Sequence, residues 1–361
     1  MNTAQLTFTR FIAAMLIVFY HFAGNLFPVD SGFIKVIREN FSLGVSYFYV
    51  LSGFVMVLAY GNQNRIEPKK YWINRFARLY PLHLFTLGLT ILVSLFVAIN
   101  YLEDFKIDPT SFFLNLTLIQ AWFPESSLTF NVPSWSISVE LFFYLAFPFI
   151  FNKLYKKLKF RDFAIVVVVF WLISQIAMNL YYRSDFYGGE QSLDRYFIHY
   201  NPFFHLNSFL VGLLFAGIFR RCQMILPKKL DVVILLMIPF NCLLIYIFRD
   251  YLLHNGLLAF NFGFLILLIA ANKGKITTLF NHQFLIHLGN ISFAMYLLQN
   301  PVFIFFKKVL SVFHIQNEYL LFVVAFPVLI ACSHFTYRLI EIPWQKKIRG
   351  NQKIAPLETK N

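Results

Sequence analysis

The chain has 361 residues, of which 58% are hydrophobic, 20% aromatic and only 13% charged, with a formal net charge of +14. Soluble domains carry roughly a quarter charged residues, so this composition excludes a water-soluble globular enzyme, and the aromatic content excludes disorder. What remains is an all-α, polytopic integral membrane protein, whose backbone satisfies its own polar groups within lipid.

A helix crosses the hydrocarbon with about 20 mostly apolar residues. In chain order the sequence predicts about ten spans: 8–27, 41–60, 80–100, 135–151, 163–182, 201–219, 231–248, 257–271, 288–306 and 319–338. The fourth and eighth are short. A further apolar stretch, 111–123, is too short to cross and is expected as an interfacial or re-entrant piece. The first run, through His21, has no small-residue cleavage site and reads as a retained span, not a signal peptide. Cys222, Cys242 and Cys332 are too far apart for a disulfide framework or a metal motif.

Loop charge sets the orientation. With the N-terminus inside, 23 of the 31 basic residues fall on the inner side and 8 on the outer, while Glu103, Asp104, Asp108, Asp185, Glu190 and Asp194 lie outside. The chain is therefore N-in and C-in with an even number of spans. The basic residues are topology signals, not a nucleic-acid footprint. One transmembrane domain over 1–345 and a polar cytoplasmic tail over 346–361 account for the sequence, and no internal repeat is visible.

Ionisable residues within spans are functional candidates by default. Arg10 and His21 are 11 residues apart on the first helix, a rotation of about 1100°, so they share a face and are separated by about 16 Å. Either residue alone is also explained structurally, Arg10 as a helix anchor and His21 as a hydrogen-bonded core residue. Glu140 lies about a turn and a half into the fourth span, near the expected depth of His21. An imidazole–carboxylate pair there makes a better general base; the alternative is a carboxyl bonded to nearby hydroxyls. Arg75 and Arg78, at the inner surface, share a helical face and suit either phosphate groups or lipid head groups. Ser52-Gly53 interrupts the second span, and Tyr296, Gln299 and Asn300-Pro301 interrupt the ninth. Arg338 and Glu341 read as an i,i+3 ion pair closing the last helix. His83, His199 and His205 have no partner spacing. The sequence has no HExxH, P-loop, GxSxG or Cys/His metal pattern, so no metal is expected.

Taken in order, these landmarks resemble the membrane-embedded acyltransferase family 3, O-acyltransferases of bacterial surface carbohydrates. The opening Leu6-Thr7-Phe8-Thr9-Arg10 through His21 is similar to the family's first helix, and Phe48-Tyr49-Val50-Leu51-Ser52-Gly53-Phe54 to its second-helix signature. Arg75-Phe76-Ala77-Arg78-Leu79-Tyr80-Pro81 resembles its R-x-x-R-x-x-P loop, and Ser134-Trp135-Ser136-Ile137-Ser138-Val139-Glu140 its W-S-x-S-x-E motif. Ile291 through Leu297 and Arg338 through Pro343 also fit. The sequence departs from the pattern at Leu298-Gln299, where relatives often carry a His.

The resemblance implies an acyl-CoA donor, most often acetyl-CoA, a carbohydrate or lipid-linked glycan hydroxyl as acceptor, and a place in the bacterial inner membrane. His21 is then the catalytic base, with Glu140 supporting the site. Arg10, Arg75 and Arg78 hold the donor from the cytoplasmic side. Trp135, Ser136, Ser138, Tyr296 and Gln299 contact substrate. No extracytoplasmic esterase-like domain of the kind found in some relatives is seen in the sequence. A transporter or flippase for a glycolipid or anionic solute is the competing expectation; it predicts paired repeats in the two halves, which are not visible. A non-catalytic membrane scaffold is the third.

Overall fold

The computed structural model describes residues 4–24, 26, 32–101, 106–222 and 224–349. Among them there are helices and no β-strand: α1 (Gln5–Phe22), α2 (Gly32–Glu39), α3 (Gly44–Tyr60), α4 (Pro68–Tyr101), α5 (Pro109–Leu116), α6 (Trp135–Phe149), α7 (Phe160–Tyr182), α8 (Leu193–Tyr200), α9 (Leu206–Cys222), α10 (Asp231–Ile247), α11 (Ala259–Ala271), α12 (Lys275–Phe280), α13 (Gln283–Val312), α14 (Glu318–Thr336) and α15 (Ile342–Arg349). Eight helical segments are long and apolar enough to cross a membrane, and α10 and α11 are shorter apolar helices. Together they coincide with the ten expected segments, so the chain is an all-α polytopic membrane protein.

Two differences from expectation bear on the site. The fourth segment is not short: a 3-10 turn (Val132–Ser134) leads into α6 and a π turn (Ile150–Tyr155) prolongs it, giving a continuous segment over Val132–Tyr155. The third helix begins at Pro68, twelve residues before the expected span, so Arg75 and Arg78 lie in α4 and not in a loop. Its 34 residues include Pro81, whose missing N–H interrupts the hydrogen-bond ladder without ending the helix. The expected boundary between domain and tail, 345/346, falls inside α15. Residues 350–361 of that tail, and Glu103 and Asp104 of the acidic loop, lie outside the described residues.

The 111–123 stretch does not span. Its helix, α5, has 8 residues, about 12 Å of rise. Asp108 caps it, its side chain accepting from the Ser111 amide at 2.7 Å, and bonds from Ser111 hold this carboxyl below its usual range. From α4, the Tyr80 hydroxyl donates to the Leu116 carbonyl at 3.0 Å, and His83 Nε2 bonds the Asn115 carbonyl at 2.8 Å. These bonds carry the segment back toward the start of α6.

At the centre, α9 crosses α3. A Cβ at Gly53 would strike the Phe209 carbonyl, and one at Gly212 the Val50 carbonyl. Small residues at such crossings let helix backbones touch, which is how helices gain dispersion contact in lipid. The α1 and α13 helices run parallel. Gly289 is pressed against the Thr7 carbonyl at one end, and Phe22 stacks on Phe303 at 4.1 Å and 12° at the other. By contrast α7 and α10 expose Ile165, Ile173, Ile176, Val232 and Leu236, apolar faces suited to lipid.

Candidate functional site

Two polar centres lie along α1. The first is at the end of the bundle where the basic loops gather. Arg10 of α1, Arg78 of α4, Glu140 and Tyr144 of α6, and Glu341 of the π turn between α14 and α15 are close enough to act on one another electrostatically. Arg10, Arg78 and Glu140 are half-buried; Tyr144 and Glu341 are buried. Among the described residues neither Arg10 nor Arg78 makes a hydrogen bond or ion pair: the ion pairs found are Lys35–Glu39, Arg161–Asp162, Arg195–Glu190 and Arg249–Asp250. The two guanidiniums thus lie near one another with donors to spare. Forked donors of this kind suit phosphate.

Arg75 is separated from these two. It is 4% exposed, and its guanidinium carbon lies 5.3 Å from the ring centres of Tyr60 and Tyr71 and 5.5 Å from that of Tyr144. Its Nη2 donates to the Tyr60 hydroxyl at 3.0 Å. The expected pair of surface arginines therefore divides: Arg75 is caged by aromatic faces, and Arg78 alone reaches Arg10. The two remain linked through Tyr144, whose hydroxyl donates to Glu140 and whose carbonyl accepts from Trp72 Nε1 at 3.2 Å.

The second centre is a cavity of about 150 Å³ at the other end of α1, lined by His21, Phe22, Val132, Pro133, Gln299 and Asn300. His21 is exposed to it. The expected pairing of His21 with Glu140 is not formed. His21 is level with Pro133, and Glu140 lies seven residues further along α6, about 10 Å deeper. The depth estimate failed because the span begins with the Val132–Ser134 turn, which sets Glu140 nearer the basic end. Glu140 bonds Tyr144 instead.

Buried polar groups adjoin the second centre through Pro133 and Gln299, which line its cavity. Ser136 Oγ lies 2.8 Å from the Tyr296 hydroxyl, and both are within hydrogen-bond distance of the Pro133 carbonyl, at 3.0 and 3.1 Å. Gln299 Nε2 donates to the Tyr296 carbonyl at 2.7 Å. Among the described residues the Tyr49 hydroxyl, Ser52 Oγ, Ser138 Oγ and Gln299 Oε1 are buried without a hydrogen-bond partner. Buried polar atoms are nearly always paired, so these unpaired ones are open to a polar substrate. Trp135 stands apart from the cavity, packed edge-on to Tyr200 at 4.8 Å and against His205 and His254 at 5.5 Å.

Several groupings were not visible in the sequence. His199, His205 and His254 come from three separate segments, with ring centres 5.6 to 5.9 Å apart around His254; among the described residues they form no metal-holding group. His287 Nε2 and His334 Nδ1 are 2.7 Å apart across α13 and α14. Glu341 does not pair with Arg338: Arg338 is exposed, and Glu341 turns inward toward Arg10 and Arg78. The π turn, which i,i+3 counting on a regular helix does not anticipate, redirects it.

A family model described as an acyltransferase domain, that of acyltransferase family 3, matches residues 3–338. The chain is 30% identical over 229 residues to acyltransferase MdmB of Streptomyces mycarofaciens, covering 60% of this chain and 57% of that protein. It is 22% identical over 361 residues to O-acetyltransferase OatA of Staphylococcus aureus, covering 94% and 56%. It is 24% identical over 360 residues to peptidoglycan O-acetyltransferase OatA of Listeria monocytogenes, covering 93% and 55%. The chain thus spans little more than half the length of these relatives. No solved structure matches it. The chain belongs to the acyltransferase 3 family.

Proposed function

We propose that this chain is a membrane-embedded O-acyltransferase that moves an acyl group, acetyl in the simplest case, from cytoplasmic acyl-CoA to a hydroxyl of a cell-surface carbohydrate or glycolipid. Its site is the bacterial cytoplasmic membrane, with residues 1–345 as the acyltransferase domain and 346–361 as a cytoplasmic tail. The observation that carries the reading is the pair Arg10 and Arg78, two guanidiniums with no hydrogen bond or ion pair among the described residues, at the basic end of a helix whose other end presents His21 to a cavity. A polyanionic donor fits the first centre and an acceptor hydroxyl the second, and the unpaired buried hydroxyls and amide offer bonds to the thioester arm. The family match and the O-acetyltransferase names of the relatives support the same chemistry.

In this reading His21 takes the proton of the acceptor hydroxyl as its oxygen attacks the thioester carbon. The C–S bond breaks, the ester forms, and the proton is returned to the thiolate, so that free CoA leaves. Ser136, Tyr296 and Gln299 orient substrate beneath the cavity, and Ser138 serves the arm. Trp135 supports them from the imidazole cluster behind. Glu140 acts on the donor centre through Arg10 and Tyr144, not on His21, and Arg75 braces Tyr144, which holds Glu140. Purified protein supplied with acetyl-CoA and candidate glycans tests the reading by release of free CoA. Release that depends on glycan is the expected result; binding or movement of a glycolipid without acyl transfer would reject it.

A further inference from the structure

We infer that Glu341 is the resting counter-ion of the Arg10–Arg78 pair and sets how readily the spent donor leaves; this rests on the acyl-CoA reading above. Glu341 lies three residues beyond the segment that matches the family model. It is 5% exposed, and its Oε1 has no hydrogen-bond partner. A buried carboxylate is costly unless opposite charge compensates it. The opposite charges nearest it are Arg78 and Arg10, from two other helices. None of these approaches is close enough to count as an ion pair, so the three groups lie near one another without being locked together.

The backbone is built for this placement. Where α14 would continue regularly, the turn Tyr337–Glu341 takes the wider π form before α15 resumes. That turn carries Glu341 inward while Arg338 stays outside. Both the π turn and α15 pack on α4, the helix that carries Arg78. The other carboxylate of the cluster, Glu140, is engaged by Tyr144, which leaves Glu341 as the uncommitted acid.

The phosphates of an arriving donor neutralise both guanidiniums in place of Glu341 and are repelled by it. Spent CoA keeps every phosphate of the donor, so arginines alone would hold product as firmly as substrate. Interactions that bind both equally do not help turnover. The repulsion from Glu341 offsets that hold and favours release.

Equilibrium binding of CoA to purified wild-type, Glu341→Gln and Glu341→Met protein tests this, together with steady-state kinetics. Both substitutions approximate the side chain's size and remove the charge, and Met also removes the unpaired oxygen. A missing unit charge at this range is worth about tenfold in affinity. The expected result is about tenfold tighter CoA binding in either folded variant, stronger inhibition by CoA, and a lower kcat with a lower donor KM; Glu341→Asp restores wild-type affinity. A merely structural residue would lower thermal stability without tightening CoA. CoA affinity that is unchanged or weaker in the variants overturns the inference while leaving the acyl-CoA reading standing. A wild-type protein that binds no CoA overturns both.

Discussion

The hydroxyl of Tyr144 donates to the carboxylate of Glu140, one helical turn earlier on α6. The same ring is one wall of the cage around Arg75. Two motifs that are about 65 residues apart in sequence therefore meet at a tyrosine that belongs to neither.

Tyr144→Phe keeps the ring over Arg75 and removes only the bond to Glu140. A hydrogen bond to a charged group is worth about 1.5–3 kcal/mol. We expect acyl transfer to fall by about tenfold or more at unchanged folded yield. Wild-type transfer rates in this variant would dissociate Glu140 from the reaction.

His21→Ala should reduce transfer to background while CoA still binds, because His21 is about 16 Å along α1 from Arg10. The pair of measurements is CoA affinity and CoA release with glycan present. Transfer near the wild-type rate in correctly inserted protein excludes His21 as the base.

The arginines should separate by phenotype. Arg78→Ala removes a half-buried, unpartnered guanidinium, so donor affinity falls by about tenfold or more with little loss of thermal stability. Arg75→Lys keeps the charge but loses the planar group held by three rings and the Tyr60 hydroxyl. Its thermal stability falls, and the folded fraction binds CoA normally. The reverse pattern would show that Arg75, and not Arg78, meets the donor.

Gly212→Ala places a methyl group against the Val50 carbonyl; overpacking of this kind costs about 1–3 kcal/mol. Gly88→Ala, in α4 with nothing near the added carbon, gains about 0.5–1 kcal/mol from helix propensity. Thermal unfolding in detergent should therefore shift in opposite directions. Equal shifts would mean that α3 and α9 are not in backbone contact.

Much of this was legible in the sequence because membrane helices announce themselves by composition, and the ten segments follow from apolar length alone. Arg10 and His21 were found on one face because both lie on one uninterrupted helix, where spacing is geometry. Relations between helices were less legible. The depth of Glu140 depended on where its segment begins, and the Val132–Ser134 turn moved that start. Arg75 and Arg78 have the right spacing to act together, yet three tyrosines from α3, α4 and α6 enclose only Arg75. The spacing of Arg338 and Glu341 suggests an ion pair that the structure does not form, because a π turn leaves no mark in apolar periodicity. The grouping of His199, His205 and His254 has no sequence spacing to reveal it.

The parallel seam between α1 and α13 divides the mechanics of the His21 cavity. Gly289 against Thr7 and Phe22 on Phe303 pin the two helices at both ends, so the walls they contribute behave as a single strut. The remaining wall, Val132 and Pro133, is tied to that strut by side-chain bonds, among them Asn131 Nδ2 to the Leu297 carbonyl at 3.0 Å. Widening the cavity therefore means releasing hydrogen bonds at a turn, with no helix bent. On the proposed acyl-transfer reading, room for bulkier or slimmer acceptors is set in residues 130–134, and substitutions there are expected to change acceptor size preference while the strut behind them stays fixed.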